Sequence, residues 1–448
     1  MGTPRSFALD ALRGAAIFMM VFSGVLPYGG ALPAWMYHAQ VPPPDHLFNP
    51  NLPGITWVDL VFPFFLFSMG AAVPFALPKR LVVDGAAWTF GSVLRRFTLL
   101  LCFAVVSFNF APLRIPETGQ WASTFGILAY IGLFLALVYY PALRYPRSLV
   151  FRLCGWGLLV GLSAVLHFRF QAFDPAKNDP IIRVLANVYL AGTAIWWLSR
   201  RDLVLRVGFF LLTLAFYLGS LEKSSWVATL WNSHGPWNLV SPMLLKYLLV
   251  FLPGTLLGDW LAENHPGNNI KWPVSVPILV AAISGIVLWA LFSRQVEAGF
   301  ALSILLSVAL CIVQRQFSIA QHISMTGAVL LVAGFLLEPF QGGIKKDHAT
   351  LSYFFITSGL AFLWVAAFSI QGRGVWHKIL QPLALLGQNA LLAYLLAGFV
   401  LSPALEISGI ASLMGGGPGG GLLKAILITG LMAWISITLS AKKVFWKV

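Results

Sequence analysis

Two histidines and an aspartate stand close together in the sequence at the start of a strongly apolar segment. His38 and His46 precede this segment, and Asp59 lies about one turn inside it. An imidazole with a carboxylate in reach can take up and release a proton near neutral pH. An unpaired carboxylate on a membrane helix costs about 2.5–3.5 kcal/mol at the bilayer centre and less near its ends. Asp59 therefore needs a partner, and the pattern predicts that a histidine supplies it.

The composition places these three residues in a membrane protein. Hydrophobic residues make up 58% of the 448 residues and charged residues only 10%, whereas soluble domains carry about 25% charged residues. The net charge of +14 would suggest nucleic-acid binding in a soluble protein. Here the Lys and Arg residues instead fall in short stretches between apolar runs, as cytoplasmic loops do. We therefore predict an all-α, polytopic membrane helix bundle that contacts the lipid bilayer and no nucleic acid.

The cysteines do not suggest metal chemistry. Cys102, Cys154 and Cys311 all fall within apolar segments, and none of them has the spacing of a metal-ligand motif. We expect these thiols to face lipid or to pack between helices, and we predict no bound metal.

Cutting the chain at charged, Pro-rich or Gly-rich breaks leaves apolar segments close to the roughly 20 residues that cross a bilayer. With the N-terminus in the cytoplasm, basic residues concentrate in alternate loops, as the positive-inside rule expects. We predict about 11–14 transmembrane helices in one integral membrane domain over 1–448, in the bacterial inner (plasma) membrane. The segments lie near 7–26, 56–77, 91–111, 122–141, 149–168, 181–198, 203–220, 242–262, 272–292, 297–314, 322–340, 350–370, 379–402 and 421–440.

This arrangement puts two loops of interest on the side away from the cytosol. The first, at 27–55, carries the histidines and is the predicted catalytic loop. The second, at 341–349, breaks the charge pattern, because Lys345 and Lys346 stand on the outer side. The bias of positive charge is statistical, so these lysines could be ordinary exceptions. Alternatively, they face the same outer pocket as His38 and bind an anionic or developing negative group.

Two pairs of charged residues lie near the predicted cytoplasmic side. Asp10 and Arg13 are three residues apart on one helix face, as in an ion pair at the membrane boundary or in a contact for an anionic cytosolic cofactor. Arg95 and Arg96, in the same predicted inner loop as Lys79, could contact a phosphorylated molecule from the cytosol. Ordinary positive-inside charge would explain them equally well.

A polar residue also interrupts a late apolar segment. Asn389 follows Gly387-Gln388 and precedes Tyr394. Interhelical hydrogen bonds, common in membrane bundles, are one explanation. The other is that the Asn389 amide orients a substrate or stabilises an oxyanion.

Five short stretches, spread over most of the chain, resemble a known protein family and occur in the same order as in that family. They are LDALRG at 9–14, YHA at 37–39, GITWVDLVFPFFLF at 54–67, LPGTLLG at 252–258 and GQNA at 387–390. Together they resemble the heparan-alpha-glucosaminide N-acetyltransferase family and its bacterial relatives, and the block around Asp59 is the most specific of them.

The resemblance implies a multispan acetyltransferase. Such an enzyme takes acetyl from cytosolic acetyl-CoA and delivers it to an amino sugar or glycan on the other side of the membrane. The family's catalytic histidine stands in a His-Ala context that matches His38, and Lys346 looks like the family lysine at the outer end of a late span. The longer Pro-rich stretch at 41–50 departs from the family pattern and leaves His46 as an alternative.

Acetyl transfer from a thioester requires an anion-binding entry for the nucleotide, a base for the acceptor and stabilisation of an oxyanion. The inner basic residues would serve the first need. His38 would act as the general base or carry acetyl covalently, with Asp59 orienting the imidazole and favouring its protonated form. Lys346 or Asn389 would stabilise the oxyanion.

Two other functions fit the sequence. One is the O-acetylation of a cell-envelope glycan. The other is a proton-coupled secondary transporter without covalent chemistry, in which His38 and Asp59 form a proton relay. A homodimer is also left open.

Overall fold

The computed structural model describes residues 6–29, 32–115, 121–141, 143, 145–263, 273, 275–316, 318–369, 375–415 and 417–446. Positions 272 and 370, at the ends of two predicted segments, lie outside these ranges. Nearly all regular structure in the described residues is α-helix. The α-helices are α1 Phe7–Gly24, α2 Trp57–Val83, α3 Gly85–Asn109, α4 Ala122–Leu137, α5 Arg147–Phe170, α6 Pro180–Ser199, α7 Leu203–Gly219, α8 Trp226–Trp231, α9 Leu248–Glu263, α10 Ser275–Ser293, α11 Val296–Val313, α12 Ser318–Leu336, α13 Leu351–Phe368, α14 Val375–Gly387, α15 Ala390–Leu396, α16 Ser402–Ile407, α17 Ile410–Leu413 and α18 Pro418–Ala441.

Short helical turns and two strands complete the described structure. A π-helix at Ala397–Leu401 joins α15 to α16, so the chain crosses as one helical unit over Ala390–Ile407. The 3₁₀ turns are Ala34–Met36, Pro112–Arg114, Pro236–Asn238, Pro242–Tyr247 and Phe340–Gly342. The strands β1 Val138–Tyr139 and β2 Phe445–Trp446 pair antiparallel, with Val138 opposite Trp446.

The prediction of a polytopic all-α bundle is confirmed. Within the described residues, 12 helices are long and apolar enough to cross a membrane. Two shorter apolar helices, α4 and α7, coincide with the remaining predicted segments. The β1–β2 pair joins the end of α4 to the C-terminal end of the described chain, two points that the charge pattern places together on the cytoplasmic side. The chain is therefore an integral membrane protein by the length and composition of its helices.

Burial separates central helices from peripheral ones. Most of the residues of α2 and α13 are buried within the bundle, whereas only 22% of the residues in the apolar windows of α5 and α11 are buried. The exposed side chains are largely apolar, for example Val160 on α5 and Leu305 on α11, which suits contact with lipid tails. The helix that carries Asp59 therefore lies at the centre of the bundle, where its side chains can be held rigidly.

Close backbone contact with α9 fixes the position of α2. Gly254 and Gly258 repeat at the four-residue spacing that lets two membrane helices approach closely. A Cβ built on Gly254 would collide with the backbone carbonyl oxygen of Phe67, and one on Gly258 with that of Ala71. The LPGTLLG stretch is thus explained by helix packing.

Replacing Gly254 by alanine is expected to lower the free energy of unfolding by about 1–3 kcal/mol, because the added methyl group forces α9 away from α2. Thermal unfolding in detergent would measure the loss. Gly208→Ala on α7 is the matched control, since its Cβ would meet nothing within 4 Å and alanine is a better helix former than glycine by up to about 1 kcal/mol. Equal melting temperatures for the two variants would contradict the packing role.

One predicted segment is divided in a way that the sequence did not indicate. The apolar run at 379–402 breaks where α14 ends at Gly387, and α15 begins at Ala390. Gly14 of α1 and Gly387 of α14 meet in tight packing, since a Cβ on either would collide with backbone atoms of the other helix. Asn389 consequently lies at the start of α15, between two helices, whereas the sequence suggested a position within one continuous apolar segment.

Candidate functional site

The N-terminus of α2 holds Asp59 in a fixed orientation. Thr56 is the N-cap, and its hydroxyl accepts a hydrogen bond from the Val58 backbone N–H. In return, Asp59 Oδ2 accepts from the Thr56 backbone N–H at 2.8 Å and from the Ala39 N–H at 3.3 Å. This reciprocal pattern is a capping box, which satisfies backbone donors that a helix start leaves unpaired. The cap uses one oxygen of Asp59 and leaves the other, Oδ1, for a different partner.

That partner is His38. Its Nδ1 lies 2.8 Å from Asp59 Oδ1, as the cost of a lone acid on an apolar helix predicts. Asp59 is only 2% exposed, whereas the side chain of His38 is 39% exposed. The pair therefore consists of a buried carboxylate and a partly exposed imidazole that a dissolved molecule can reach.

The backbone around His38 is tied down on both sides. The Thr56 hydroxyl donates to the Tyr37 carbonyl oxygen at 2.7 Å, and Ala39 donates its N–H to Asp59. Below the pair, the Tyr353 hydroxyl of α13 donates to the Asp59 carbonyl oxygen at 2.7 Å. Because these bonds come from three parts of the chain, the ring of His38 is held in place before any substrate arrives.

Lys346 contacts the same imidazole from the loop at 341–349, the second of the two loops predicted on the outer side. Its Nζ lies 3.1 Å from His38 Nδ1 and 3.3 Å from Nε2. With the Nδ1 proton donated to Asp59, the ammonium group can donate to Nε2. A neutral imidazole placed between a carboxylate and an ammonium group satisfies all three side chains.

The two outer loops are clamped together by Gln40. Its Oε1 accepts from the Asp347 backbone N–H at 2.9 Å, and its Nε2 donates to the Asp347 carbonyl oxygen at 3.3 Å. A backbone bond from Gly54 N–H to Ile344 carbonyl oxygen, at 2.8 Å, adds to this clamp. These contacts hold Lys346, the residue next to Asp347, in position against His38.

The structure does not bring His46 to Asp59. The His46 ring packs edge-on against Tyr28 and Tyr37, with ring centroids 4.6 and 4.5 Å away. Burial raises the pKa of the Tyr37 phenol above its usual range, with a smaller contribution from Tyr28. The phenol therefore stays protonated and donates to the Pro27 carbonyl oxygen at 2.5 Å. His46 belongs to an aromatic cluster in the wall of the loop.

On the predicted cytoplasmic side, a cavity of about 260 Å³ opens beside α2. Arg13, Arg96 and Gln388 line it, together with apolar side chains such as Met69. The Arg96 guanidinium lies over the Tyr189 ring at 4.5 Å, and its buried Nε has no hydrogen-bond partner among the described residues. A half-buried guanidinium that is incompletely bonded and faces a cavity is suited to an anionic ligand.

Arg13 and Asp10 form the ion pair that their spacing predicted. The two side chains approach to 3.2 Å, and Arg13 also donates to the Ser68 carbonyl oxygen at 2.8 Å. Asp10 thus orients Arg13 at the cavity wall, and its own carboxylate would repel an anion.

The predicted loop around Arg95 and Arg96 does not exist as such. Helix α3 begins at Gly85, so both arginines lie within α3, and only Asp84 separates α2 from α3. The hydropathy of a segment marks the bilayer and not the helix end, which explains the error. Arg95 is exposed and does not line the cavity.

Asn389 lies at the inner cavity and away from His38. It lines the cavity with Arg13 and Arg96. Its amide donates to Ser440 Oγ and to the Val444 carbonyl oxygen, while its Oδ1 accepts from the Trp446 N–H. These bonds anchor the C-terminal segment and fit the alternative in which Asn389 makes interhelical hydrogen bonds; its oxyanion role stays a prediction.

Helix α2 is common to the outer site and the inner cavity. Phe65 and Leu77 both line the cavity, and they stand six and eighteen residues after Asp59 in the sequence. At 1.5 Å per residue, the cavity wall therefore extends over roughly 9–27 Å along α2 from Asp59.

Two residues of the outer site were not singled out from the sequence. Gln40 directly follows the His-Ala pair, but nothing in its position signals a loop clamp. Lys246, only 9% exposed, lies within electrostatic reach of Asp347. A lysine at the outer end of a predicted span was the available signal. Within the described residues, no three His, Cys, Asp or Glu side chains are grouped closely enough to hold a metal ion.

Comparison with known proteins places this chain near a domain family and an acetyltransferase. A family model described as "Domain of unknown function (DUF5009)" matches residues 5–261, more than half of the 448 residues. Heparan-alpha-glucosaminide N-acetyltransferase from Homo sapiens is 31% identical over 107 residues, which are 24% of this chain and 14% of the human protein. The match thus spans about a seventh of that relative's length. It supports a distant relationship to an acetyltransferase, and a multispan bundle fits a transmembrane acetyltransferase in general terms.

Proposed function

Because the chain belongs to the family described as Domain of unknown function (DUF5009), a description that assigns no activity, we propose its function from its own residues. The protein is a transmembrane acetyltransferase. It takes acetyl from acetyl-CoA in the cytosol and transfers it to the amino group of a sugar or glycan on the outer side. The observation that carries the proposal is the constellation of His38, Asp59 and Lys346 at the outer end of α2.

The outer site supplies the base. Since Nδ1 of His38 faces Asp59 at 2.8 Å, Nε2 is the ring nitrogen left to accept a proton from the acceptor amine. Asp59 holds the required tautomer and stabilises the imidazolium that forms, and such proton transfer contributes about 10²–10⁴ to the rate. The new bond joins the acceptor nitrogen to the acetyl carbon, the thioester C–S bond breaks, and CoA leaves as a thiolate that takes up the proton released by the acceptor amine.

Lys346 supplies positive charge where negative charge develops. A tetrahedral intermediate places an oxyanion beside the attacking nitrogen, and an ammonium group close to the base can stabilise it. When the acceptor takes its place at Nε2, the Lys346 Nζ, now 3.3 Å from that nitrogen, is released to donate to the oxyanion. Lys346 would therefore stabilise the oxyanion through its positive charge and its fixed position.

The lining of the Arg96 cavity suits part of the co-substrate. Acetyl-CoA brings an activated acetyl group on a long thioester arm with a phosphorylated nucleotide. Arg13 and Arg96, whose Nε has no partner among the described residues, would hold anionic groups, while Met69 and Leu100 offer an apolar wall to the arm. Because α2 forms part of both this cavity and the His38 site, we propose that acetyl approaches from one side and the acceptor from the other.

Arg96→Met is expected to weaken acetyl-CoA binding by about 10–100-fold, since a hydrogen bond to a charged group contributes about 1.5–3 kcal/mol. Calorimetric titration of the purified protein with acetyl-CoA measures this directly. Arg95→Met is the matched control, because Arg95 is the exposed neighbour outside the cavity lining, and it should bind as the wild type does. Equal weakening in both variants would show a general effect of surface charge.

The activity itself is tested by reconstituting the protein and adding labelled acetyl-CoA with a panel of amino sugars and glycans. We expect label in an amino sugar or glycan that bears a free amine. Transfer only to acceptors that lack an amine would point to O-acetylation, and no transfer to any of them would contradict the proposal. Label on His38 in the absence of acceptor would replace direct transfer by a covalent acetyl carrier.

A further inference from the structure

A second cavity, of about 660 Å³, opens at the predicted cytoplasmic ends of α2, α6 and α9. It lies on the opposite face of α2 from the Arg96 cavity. Residues 74, 78 and 82 line the second cavity, whereas residues 69, 73 and 76 line the first, and these two sets project from opposite sides of a helix. The second cavity is therefore spatially separate from the proposed acetyl-CoA site.

Three cations of this cavity have no protein partner in the part of the chain that the structure describes. Lys79, Arg200 and Arg201 line it and are exposed. None of them forms an ion pair or a side-chain hydrogen bond with a described residue. They come from two different helix ends, Lys79 from α2 and the arginines from the end of α6, and they converge on one cleft.

The acidic residues of the cleft do not cancel this charge. Asp259 is engaged through both oxygens, since Oδ1 accepts from the Trp196 indole N–H at 3.1 Å and Oδ2 pairs with Arg206. Arg206 is only 5% exposed and also donates to Ser199. Glu263 is the other acid in the lining. Its single negative charge is outnumbered by the three positive charges of Lys79, Arg200 and Arg201.

The surroundings of the cations indicate a lipid. Val82 is 87% exposed and Val204 81% exposed, so apolar surface that suits lipid tails begins within a few residues of Lys79 and Arg201. Phe75 and Leu81 add apolar lining inside the cleft. Cations at a boundary between apolar and aqueous surface lie at the depth of phospholipid phosphates, and basic pockets between transmembrane helices on this side bind such headgroups.

We propose that this cleft binds the phosphate headgroup of an anionic phospholipid from the cytoplasmic leaflet. Lys79, Arg200 and Arg201 contact the phosphate, and the apolar lining takes the glycerol and the first part of an acyl chain. Bound in this way, the lipid bridges the inner ends of α2, α6 and α9. Since a ligand that binds only the folded state stabilises it, the bundle becomes more resistant to heat.

The test measures binding to the full chain in detergent with three probes. These are short-chain phosphatidylglycerol, phosphatidylcholine with the same chains, and glycerol phosphate. The Arg200→Gln/Arg201→Gln variant is compared with Lys442→Gln/Lys443→Gln, a basic pair just after α18 that is not in the cavity lining. We expect phosphatidylglycerol to bind and raise the melting temperature, and the arginine variant to bind at least tenfold more weakly than the lysine control.

Each other outcome overturns the proposal. Equal binding of phosphatidylcholine would remove the requirement for an anionic headgroup, and equal binding of glycerol phosphate would identify a site for soluble phosphates. Equal weakening in the lysine control would reduce the effect to surface charge. If the arginine variant fails to fold, the single variant Lys79→Gln replaces it, and unchanged phosphatidylglycerol binding in that variant contradicts the proposal.

Discussion

Replacing His38 by alanine is expected to lower kcat/KM for acetyl transfer by about 10²–10⁴, the contribution of a positioned general base. The loss follows from removing Nε2, the nitrogen that Asp59 leaves available by binding Nδ1 at 2.8 Å. Because the His38 side chain is 39% exposed, its removal opens no buried cavity, but it leaves Asp59 Oδ1 without its partner, so we expect a folded protein of lower stability. Steady-state transfer of labelled acetyl to the best acceptor, with a melting curve for each variant, measures both effects.

His46→Ala is the matched control for this variant. Both histidines lie in the same outer loop, but His46 packs against Tyr28 and Tyr37 and is not bonded to Asp59. Its loss should reduce stability modestly and leave kcat within a few-fold of the wild type. Added imidazole should restore part of the activity of His38→Ala, because the vacated space is open to the outer side. Full activity of His38→Ala without imidazole would remove the central assignment.

Replacing Asp59 by asparagine is the second large expected effect, a fall in kcat of about 10²–10⁴. The asparagine side chain is nearly isosteric, and its oxygen can still accept from the Thr56 N–H, so the helix cap survives. Its amide can instead turn an N–H toward His38 Nδ1, which would favour the tautomer with the proton on Nε2. That tautomer cannot accept a proton from the acceptor, and imidazole should not rescue it.

Thr56→Ala separates this orienting role from a structural one. That substitution removes the capping hydroxyl, which accepts from Val58 and donates to the Tyr37 carbonyl oxygen. It should lower the free energy of unfolding by about 0.5–2 kcal/mol and retain most of the activity. If the losses of activity in the two variants simply follow their losses of stability, Asp59 acts as a helix cap and not on His38.

The pairing of His38 with Asp59 was predictable because it follows from the cost of a lone acid in an apolar helix. The contact of Lys346 with the same ring was one of two alternatives for the lysines on the outer side. The role of Gln40 was not predictable in either way, because the clamp between the two outer loops depends on contacts between residues more than three hundred positions apart. Such contacts leave no local pattern in the sequence.

The helices were predicted better than their ends. Hydropathy locates the bilayer, so each predicted apolar segment overlaps a helix. Helix α3, however, already begins at Gly85, ahead of Arg95 and Arg96, and the segment at 379–402 breaks at a glycine that packs on α1. The second difference places Asn389 at the start of α15. Tertiary contacts decide where a helix ends, and these contacts cannot be predicted from the local patterns of a single sequence.

In the proposed function, acetyl passes from one side of the membrane to the other. The most direct test uses sealed proteoliposomes with the acceptor amine enclosed and labelled acetyl-CoA outside. The wild type should acetylate the enclosed acceptor in vesicles whose cytoplasmic face points outward, while the His38→Ala protein should not. Product that forms only when acetyl-CoA and acceptor share a compartment would contradict the account.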